Sequence, residues 1–255
     1  MQDNIIDRRS FFKLGLLGGS VVAASTIGGG AVLKAAELTH SHQASQGKSS
    51  KIRGRMFFQT QTEFDTLSAA CERIYPKDEQ GEGAIGLGVP YFIDNQLASA
   101  YGYNDREYMQ GPFMEGKAEQ GYQTPMQRKD IFLEGVHALE ENAQKRYKKS
   151  FSLLKGGDQD KILSDFEKGK IQNKILSDFE KGKIQTTGFK SSYFFTLLRD
   201  MTVAGVLADP IYGGNDNKNG WRMMQYPGAQ MSYVDKIASD EFFNIEPMSL
   251  ADMES

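Results

Sequence analysis

Few side chains in this 255-residue chain are equipped for chemistry. Its single cysteine, Cys71, excludes an intrachain disulfide and any cysteine-rich zinc or iron–sulfur site. His40 and His42 stand in a stretch rich in Ser, Gln and Gly. A Ser-His-Asp triad, a Cys-His pair or a His-ligated metal would therefore have to use His137. Gly81-Glu82-Gly83-Ala84-Ile85-Gly86 has the spacing of a dinucleotide loop. Such a loop follows a strand and opens a helix, so that pyrophosphate meets the helix N-terminus. Here a helical pattern ending at Tyr75-Pro76 precedes it and Pro90 closes it, so we read a turn and no Rossmann domain. Asn215-Asp216-Asn217-Lys218-Asn219-Gly220 imitates the front of a calcium loop, with Asn where Asp should stand and Tyr226 where a bidentate Glu is required. An Asn/Gly turn is the better reading, a weak cation site of another type the lesser one. Carboxylate neighbours such as Asp78-Glu79 and Glu140-Glu141 adjoin along the chain and define no opposed acid–base pair. No nucleophile elbow, P-loop or zinc signature occurs, and we assign no catalytic, cofactor-binding or metal-ligating residue.

The elements that would position a site are helical. Phe64, Leu67, Cys71 and Ile74 recur at helical spacing, with Thr62 as the expected N-cap and Pro76 as the stop. That places Cys71 on an apolar face as a buried, inert thiol. Tyr91–Ala100 forms a second helix opened by Pro90. Ile131, Gly135, Leu139, Ala143 and Tyr147 make one stripe of a longer helix, flanked by Phe132 and Val136, with His137 at its edge and Lys145-Arg146 and Lys148-Lys149 at its end. Ser191 or Ser192 is expected to cap an apolar helix through Phe194, Leu197, Leu198, Met201 and Gly205. No strand pattern matches these in strength. Lys161–Gln172 (KILSDFEKGKIQ) recurs unchanged as Lys174–Gln185, which reads as two short amphipathic turns duplicated within a surface connection. With 39% apolar and 25% charged residues the chain can bury a core, and a net charge of −3 speaks against nucleic acid as partner.

The N-terminus is an address. Asp7-Arg8-Arg9-Ser10-Phe11-Phe12-Lys13 has the twin-arginine export pattern, carried by Arg8, Arg9, Phe12 and Lys13. An uncharged run from Leu14 to Leu33 follows, softened by six glycines. Residues 1–36 read as a signal, cleaved or kept as an anchor, and 37–55 as a flexible tether. Arg8, Arg9, Lys13 and Lys34 against Asp3 and Asp7 make the signal two charges positive. The remainder is thus five negative, an acidic body comprising a domain at 56–240 and a C-terminal tail at 241–255. The twin-arginine route carries folded proteins, often with a cofactor or a partner, so this body should hold or accompany something.

The densest constellation lies late in the chain: Asp209-Pro210-Ile211-Tyr212-Gly213-Gly214-Asn215, then Gly220-Trp221, then Tyr226-Pro227-Gly228. Trp221, the only tryptophan, sits among Tyr212, Tyr226 and Met223-Met224. Aromatic and methionine side chains on a loop suit a partner surface, and they equally suit a plug for the domain's own core. This pattern resembles the gluconate 2-dehydrogenase subunit 3 family. The resemblance extends to Ile74-Tyr75-Pro76, Gly83-Ala84, Val89, Phe92-Ile93-Asp94 and Tyr108-x-x-Gly111-Pro112, and covers roughly residues 56–235. It implies a mainly α, cofactor-free small subunit of a periplasmic, membrane-associated dehydrogenase. Its partners would be a large subunit that binds FAD and oxidises a sugar or sugar acid, such as D-gluconate to 2-keto-D-gluconate, and a multihaem cytochrome c subunit that passes electrons to quinone. The twin-arginine translocase would carry the pair, with this chain supporting export, folding and stability of the flavoprotein, and the complex at the outer face of the inner membrane. Asp209, Pro210, Tyr212, Gly213, Gly214, Asn215, Gly220, Trp221, Tyr226, Pro227 and Gly228 are the expected partner-facing set. A free-standing carbohydrate-binding protein stacking sugars on loop 209–228 is the alternative. A carboxylate-dependent lyase or hydrolase ranks third.

Overall fold

The computed structural model describes residues 53–114, 117–121, 123–177, 185–239 and 243–253. The chain divides into two units, 1–50 and 51–255. Arg8, Arg9, Phe12 and Lys13, and all but the last three residues of the tether, lie outside the described residues. Among the described residues no helix is long and apolar enough to cross a membrane.

The second unit is mainly α-helical. Helix α1, Gln61–Ile74, starts two residues earlier than a Thr62 cap would place it. Thr60, not Thr62, is its N-cap: the Thr60 side chain accepts from the Glu63 amide at 3.2 Å, and Glu63 Oε2 accepts from the Thr60 amide at 3.0 Å. The reciprocal capping box needs Glu three residues after the cap, and only Thr60 has one. Phe64, Leu67, Cys71 and Ile74 are buried, as their spacing predicts. Burial pushes the Cys71 thiol up to about 12, against a weak hydrogen bond from Thr202 Oγ1 to its sulfur at 3.5 Å. Helix α2, Val89–Leu97, has Pro90 in its first turn, where a missing N–H leaves no intrahelical bond unmade. Helix α3, Arg128–Tyr147, buries Ile131, Phe132, Gly135, Val136, Leu139 and Ala143, the stripe its sequence predicts.

Helix α4, Gly156–Glu167, carries most of the first KILSDFEKGKIQ copy, with Ile162, Leu163 and Phe166 in the core. A surface connection was expected there, so this copy corrects that reading. Strands β1, Gln172–Ser177, and β2, Gln185–Lys190, then pair antiparallel from Gln172↔Lys190 to Ser177↔Gln185. Strand β1 includes Lys174–Ser177, the same Lys-Ile-Leu-Ser that is helical at 161–164. A short segment takes its helicity from the core it packs on more than from propensity, and α4 already occupies that place. Helix α5, Ser191–Leu207, follows directly, with Lys190 as N-cap and no side-chain cap. Ser191 is its first helical residue, and its hydroxyl donates to the Phe166 carbonyl. Short helices α6, Asn219–Met224, and α7, Val234–Ile237, complete the order.

Helix α5 packs against α1, α2, α3, α4 and α6. Phe194 on α5 stands edge-on to Phe132, Phe166 and Phe189, with ring centroids 5.7, 5.8 and 6.3 Å away. Edge-to-face rings add to area burial, which alone contributes roughly 1.5–3 kcal/mol for a fully buried phenylalanine. The segment from Asp209 to Gly228 is therefore built on the end of a well-packed helix.

Candidate functional site

The end of α5 leaves carbonyls without intrahelical partners. Ala208 leaves the helix extended, at φ −62° and ψ 156°, so no left-handed residue folds the chain back to satisfy them. The Asp209–Gly228 motif takes that role. Trp221 Nε1 donates to the Leu207 carbonyl at 2.7 Å. Asn215 Nδ2 donates to the Ala208 carbonyl at 2.9 Å, while its Oδ1 accepts from the Gly220 amide at 2.7 Å. One amide side chain thus closes both the helix end and the loop. Asn215 is fully buried at φ +50°, a left-handed conformation that Asn tolerates better than most residues.

Two glycines follow from this closure. A Cβ on Gly214 would lie 2.3 Å from the Gly205 carbonyl oxygen, and one on Gly220 would lie 2.0 Å from that of Val206. Only a residue without a side chain lets the loop come so close to α5.

Asp209 ties the motif to the end of the chain. Its Oδ1 accepts from Ile211 N at 3.0 Å and Ser249 Oγ at 2.7 Å, and its Oδ2 from Leu250 N at 2.9 Å. Lys218 pairs with Asp252 at 2.9 Å and Arg222 with Glu246, and these cations hold both carboxyls below their ordinary range.

The structure divides the predicted partner-facing set. Trp221 is 5% exposed, stacked edge-on to Tyr226 at 5.4 Å, and Asn215, Gly214, Gly220 and Gly228 are buried. Pro210, Gly213 and Pro227 are half-buried. Tyr212 and Tyr226 stand about half exposed, at 53% and 50%, with Ile211 and Met224 beside them in the chain. The buried members offer no contact area to another molecule in this conformation, which leaves surface recognition to the exposed ones.

The other chemical candidates serve structural roles. The Gly81–Gly86 segment is a turn around Glu72, whose carboxylate accepts from the amides of Lys77 and Ile85 at 2.9 Å each. His137 Nε2 lies 2.8 Å from Glu63 Oε1 on an exposed helix face. Among the described residues no three His, Cys, Asp or Glu side chains converge as a metal site would require. The loop that imitates a calcium site turns Asn215 inward, and Asp216 pairs with Arg53.

Sequence reasoning gave no role to Arg53 or Asp94. Asp94, fully buried on α2, accepts from the amides of Met56, Phe57 and Phe58. It holds the entering chain, while the Arg53 guanidinium lies against Asp216 and over the Tyr91 ring at 5.6 Å. A carboxylate inside the apolar run Phe92-Ile93-Asp94 was the available signal, since a buried charge requires several donors.

The model of the family described as gluconate 2-dehydrogenase subunit 3 matches residues 61–228. That span opens at the first residue of α1 and closes on the last glycine of the capping motif. No curated protein and no solved structure matches the chain.

Proposed function

The chain belongs to the gluconate 2-dehydrogenase subunit 3 family, and on that premise we propose that it is the non-catalytic small subunit of a FAD-dependent dehydrogenase. Membership makes it a subunit of a gluconate 2-dehydrogenase-like complex; the division of labour within that complex is our reading. The FAD-containing large subunit oxidises the sugar or sugar acid, D-gluconate to 2-keto-D-gluconate in the type case, and a multihaem cytochrome c carries electrons to quinone. This chain accompanies the flavoprotein through the twin-arginine translocase into the periplasm, and then stabilises it at the outer face of the inner membrane.

The family match over the folded body carries this proposal. Two further observations support it. The polar motif side chains are engaged within the fold: Asn215 closes the end of α5, and Asp209 accepts from Ile211, Ser249 and Leu250. The Arg8-Arg9-Ser10-Phe11-Phe12-Lys13 leader on a chain with no cofactor motif in its sequence fits the escort of a folded partner. The carbohydrate-binding alternative needs an aromatic face for a sugar ring; Trp221 has only 5% of its surface available, which leaves Tyr212 and Tyr226 as the exposed rings of the loop.

The test is co-expression with the FAD-containing subunit, comparing the native leader with Arg8→Lys/Arg9→Lys. The expected result is that periplasmic flavin and dye-linked dehydrogenase activity disappear together while flavoprotein accumulates in the cytoplasm. Undiminished arrival of active flavoprotein in the periplasm would overturn the escort role.

A further inference from the structure

Residues 246–253 return to the capping motif and lie across it as a strap. Met248 N donates to the Pro227 carbonyl at 3.0 Å and Ala229 N to the Met248 carbonyl at 2.7 Å, so that Met248 pairs with Gly228 in a parallel bridge. Gly228 permits this approach, since a Cβ there would lie 2.2 Å from the Met248 oxygen. Asp209 accepts from Ser249 Oγ and Leu250 N, Arg222 pairs with Glu246, and Lys218 with Asp252. The strap also closes a turn on itself: Ser249 N donates to Asp252 Oδ2 at 2.8 Å and Ala251 N to Ser249 Oγ at 3.2 Å. Asp209, Lys218, Arg222 and Gly228 fall within the family-matched span 61–228, whereas the strap lies beyond it. The matched body supplies the seat, and a segment outside it supplies the occupant.

The seat is built on strained backbone. Asn217, Lys218 and Gln225 have φ of +55°, +59° and +55°, in the left-handed region that residues with side chains disfavour. They bracket the two cations: Lys218 is one, and the other, Arg222, donates from its guanidinium to the Asn217 carbonyl. Strain of this kind persists only where the surrounding structure fixes it, and it clusters at ligand clamps and switch regions. The strap, by contrast, is lightly held. Pro247 and Ser249 are buried, but Leu250 is 43% exposed and both ion pairs are open to solvent. A segment that buries so little apolar surface opens well below global unfolding.

We propose that Asp209, Lys218, Arg222 and the 227–229 edge form a peptide-binding seat, which the strap fills in cis and an acidic segment of another protein takes when the strap lifts. The chemistry of the seat specifies that ligand. Arg222 and Lys218 call for two carboxylates, Asp209 for a hydroxyl midway between them, and the edge for one extended residue before the hydroxyl. Glu246, Ser249 and Asp252, spaced three apart, meet those demands in the strap. Main-chain pairing at the edge supplies affinity whatever the sequence, and the three side-chain positions supply specificity. The strap is thereby autoinhibitory, because its effective concentration sets how tightly a rival must bind. This inference stands apart from the subunit reading above.

The test uses the full chain carrying Glu246→Lys/Asp252→Lys, which releases the strap and leaves the seat intact. The probe is a synthetic peptide with the native sequence of residues 245–253. In calorimetric titration the peptide should bind this variant with a dissociation constant on the order of 10–100 µM, and wild type, whose seat is filled, at least about tenfold more weakly. Ser249→Ala within the peptide, or Lys218→Glu/Arg222→Glu added to the variant, should each weaken that binding about tenfold or more. Absence of binding to the released variant overturns the proposal, as does binding that survives Lys218→Glu/Arg222→Glu. A second measurement needs no variant. In wild type the amides of Ala229, Met248 and Leu250 should exchange together, at least about tenfold faster than those of α5. Exchange at the α5 rate would make the strap part of the core and overturn the proposal. A wild-type dimer in sedimentation that Glu246→Lys/Asp252→Lys dissociates would make a second copy the occupant, and would overturn the assignment to another protein.

Discussion

Residues 209–228 and 229–239 adjoin in the chain and both carry aromatic and methionine side chains, yet Trp221 of the first and Met231 of the second meet opposite fates. The first segment turns its distinctive side chains inward, where Trp221 and Asn215 satisfy the Leu207 and Ala208 carbonyls. The second holds Met231, Val234 and Ile237 out into solvent. The contrast follows from what each finds nearby. The first lies over a helix end whose carbonyls require donors, whereas the second is clamped at its neck, where Ala229 N donates to the Met248 carbonyl and Met248 N to that of Pro227. An aromatic-rich motif is therefore a poor guide to surface recognition, since a helix terminus makes the same demand on composition as a partner does.

Stability measurements should separate the two segments. Trp221→Ala is expected to have the largest effect, about 3–5 kcal/mol for a buried aromatic, read as a melting temperature lower by on the order of 10 °C. Loss of flavoprotein pairing in that variant would then reflect a misshapen body as much as a lost contact. A melting temperature close to wild type would mean that Trp221 does not close the end of α5. Asn215→Ala comes next, at about 1–3 kcal/mol, because it strands the Ala208 carbonyl and the Gly220 amide. Asn215→Asp should recover only part of this, since a carboxylate accepts from Gly220 but cannot donate to Ala208. Denaturant midpoints at neutral pH would rank the three proteins.

The neck should respond to pH. Arg222 and Lys218 hold the Glu246 and Asp252 carboxyls below their unfolded values. A depressed carboxyl contributes its stability above the unfolded pKa of about 4 and loses it as pH falls through the lower folded value. Amide exchange at 229–239 should therefore accelerate on acidification before exchange in α5 does. Arg222→Ala should bring some of that acceleration to neutral pH, at a cost of about 0.2–1 kcal/mol for an exposed pair. Simultaneous acceleration in α5 and the loop would show that the neck does not open separately. The smallest effect is predicted for Val234→Asp, whose unfolding free energy should stay within about 0.5 kcal/mol of wild type. A larger loss would mean that Val234 packs on the body after all.

The helices were legible wherever periodicity and burial coincide. Phe64, Leu67, Cys71 and Ile74, and the Ile131–Ala143 stripe, lie where their spacing puts them, because a 3.6-residue period leaves one face to bury. Caps were less legible. Thr62 and Ser191 looked suitable by type, but cap geometry depends on the residue three positions on and on what precedes the helix, which displaced the cap to Thr60 and Lys190. The capping motif could be seen as a constellation and not as a direction, since the same indole fits a plug and a contact.

The sequence by itself determined the helical character of the body, the burial of Cys71, the turn at Gly81–Gly86 and the family to which the chain belongs, all of which rest on local spacing or ordered motifs. Tertiary structure alone decided where Trp221 and Asn215 point, how Asp94 and Arg53 hold the entering chain, and what the duplicated segment becomes. Lys-Ile-Leu-Ser is helix at 161–164 and strand at 174–177. Local preference for so few residues amounts to tenths of a kcal/mol, whereas burying Ile162, Leu163 and Phe166 against the core contributes several. The first copy has that core to pack on, and the packing sets its conformation.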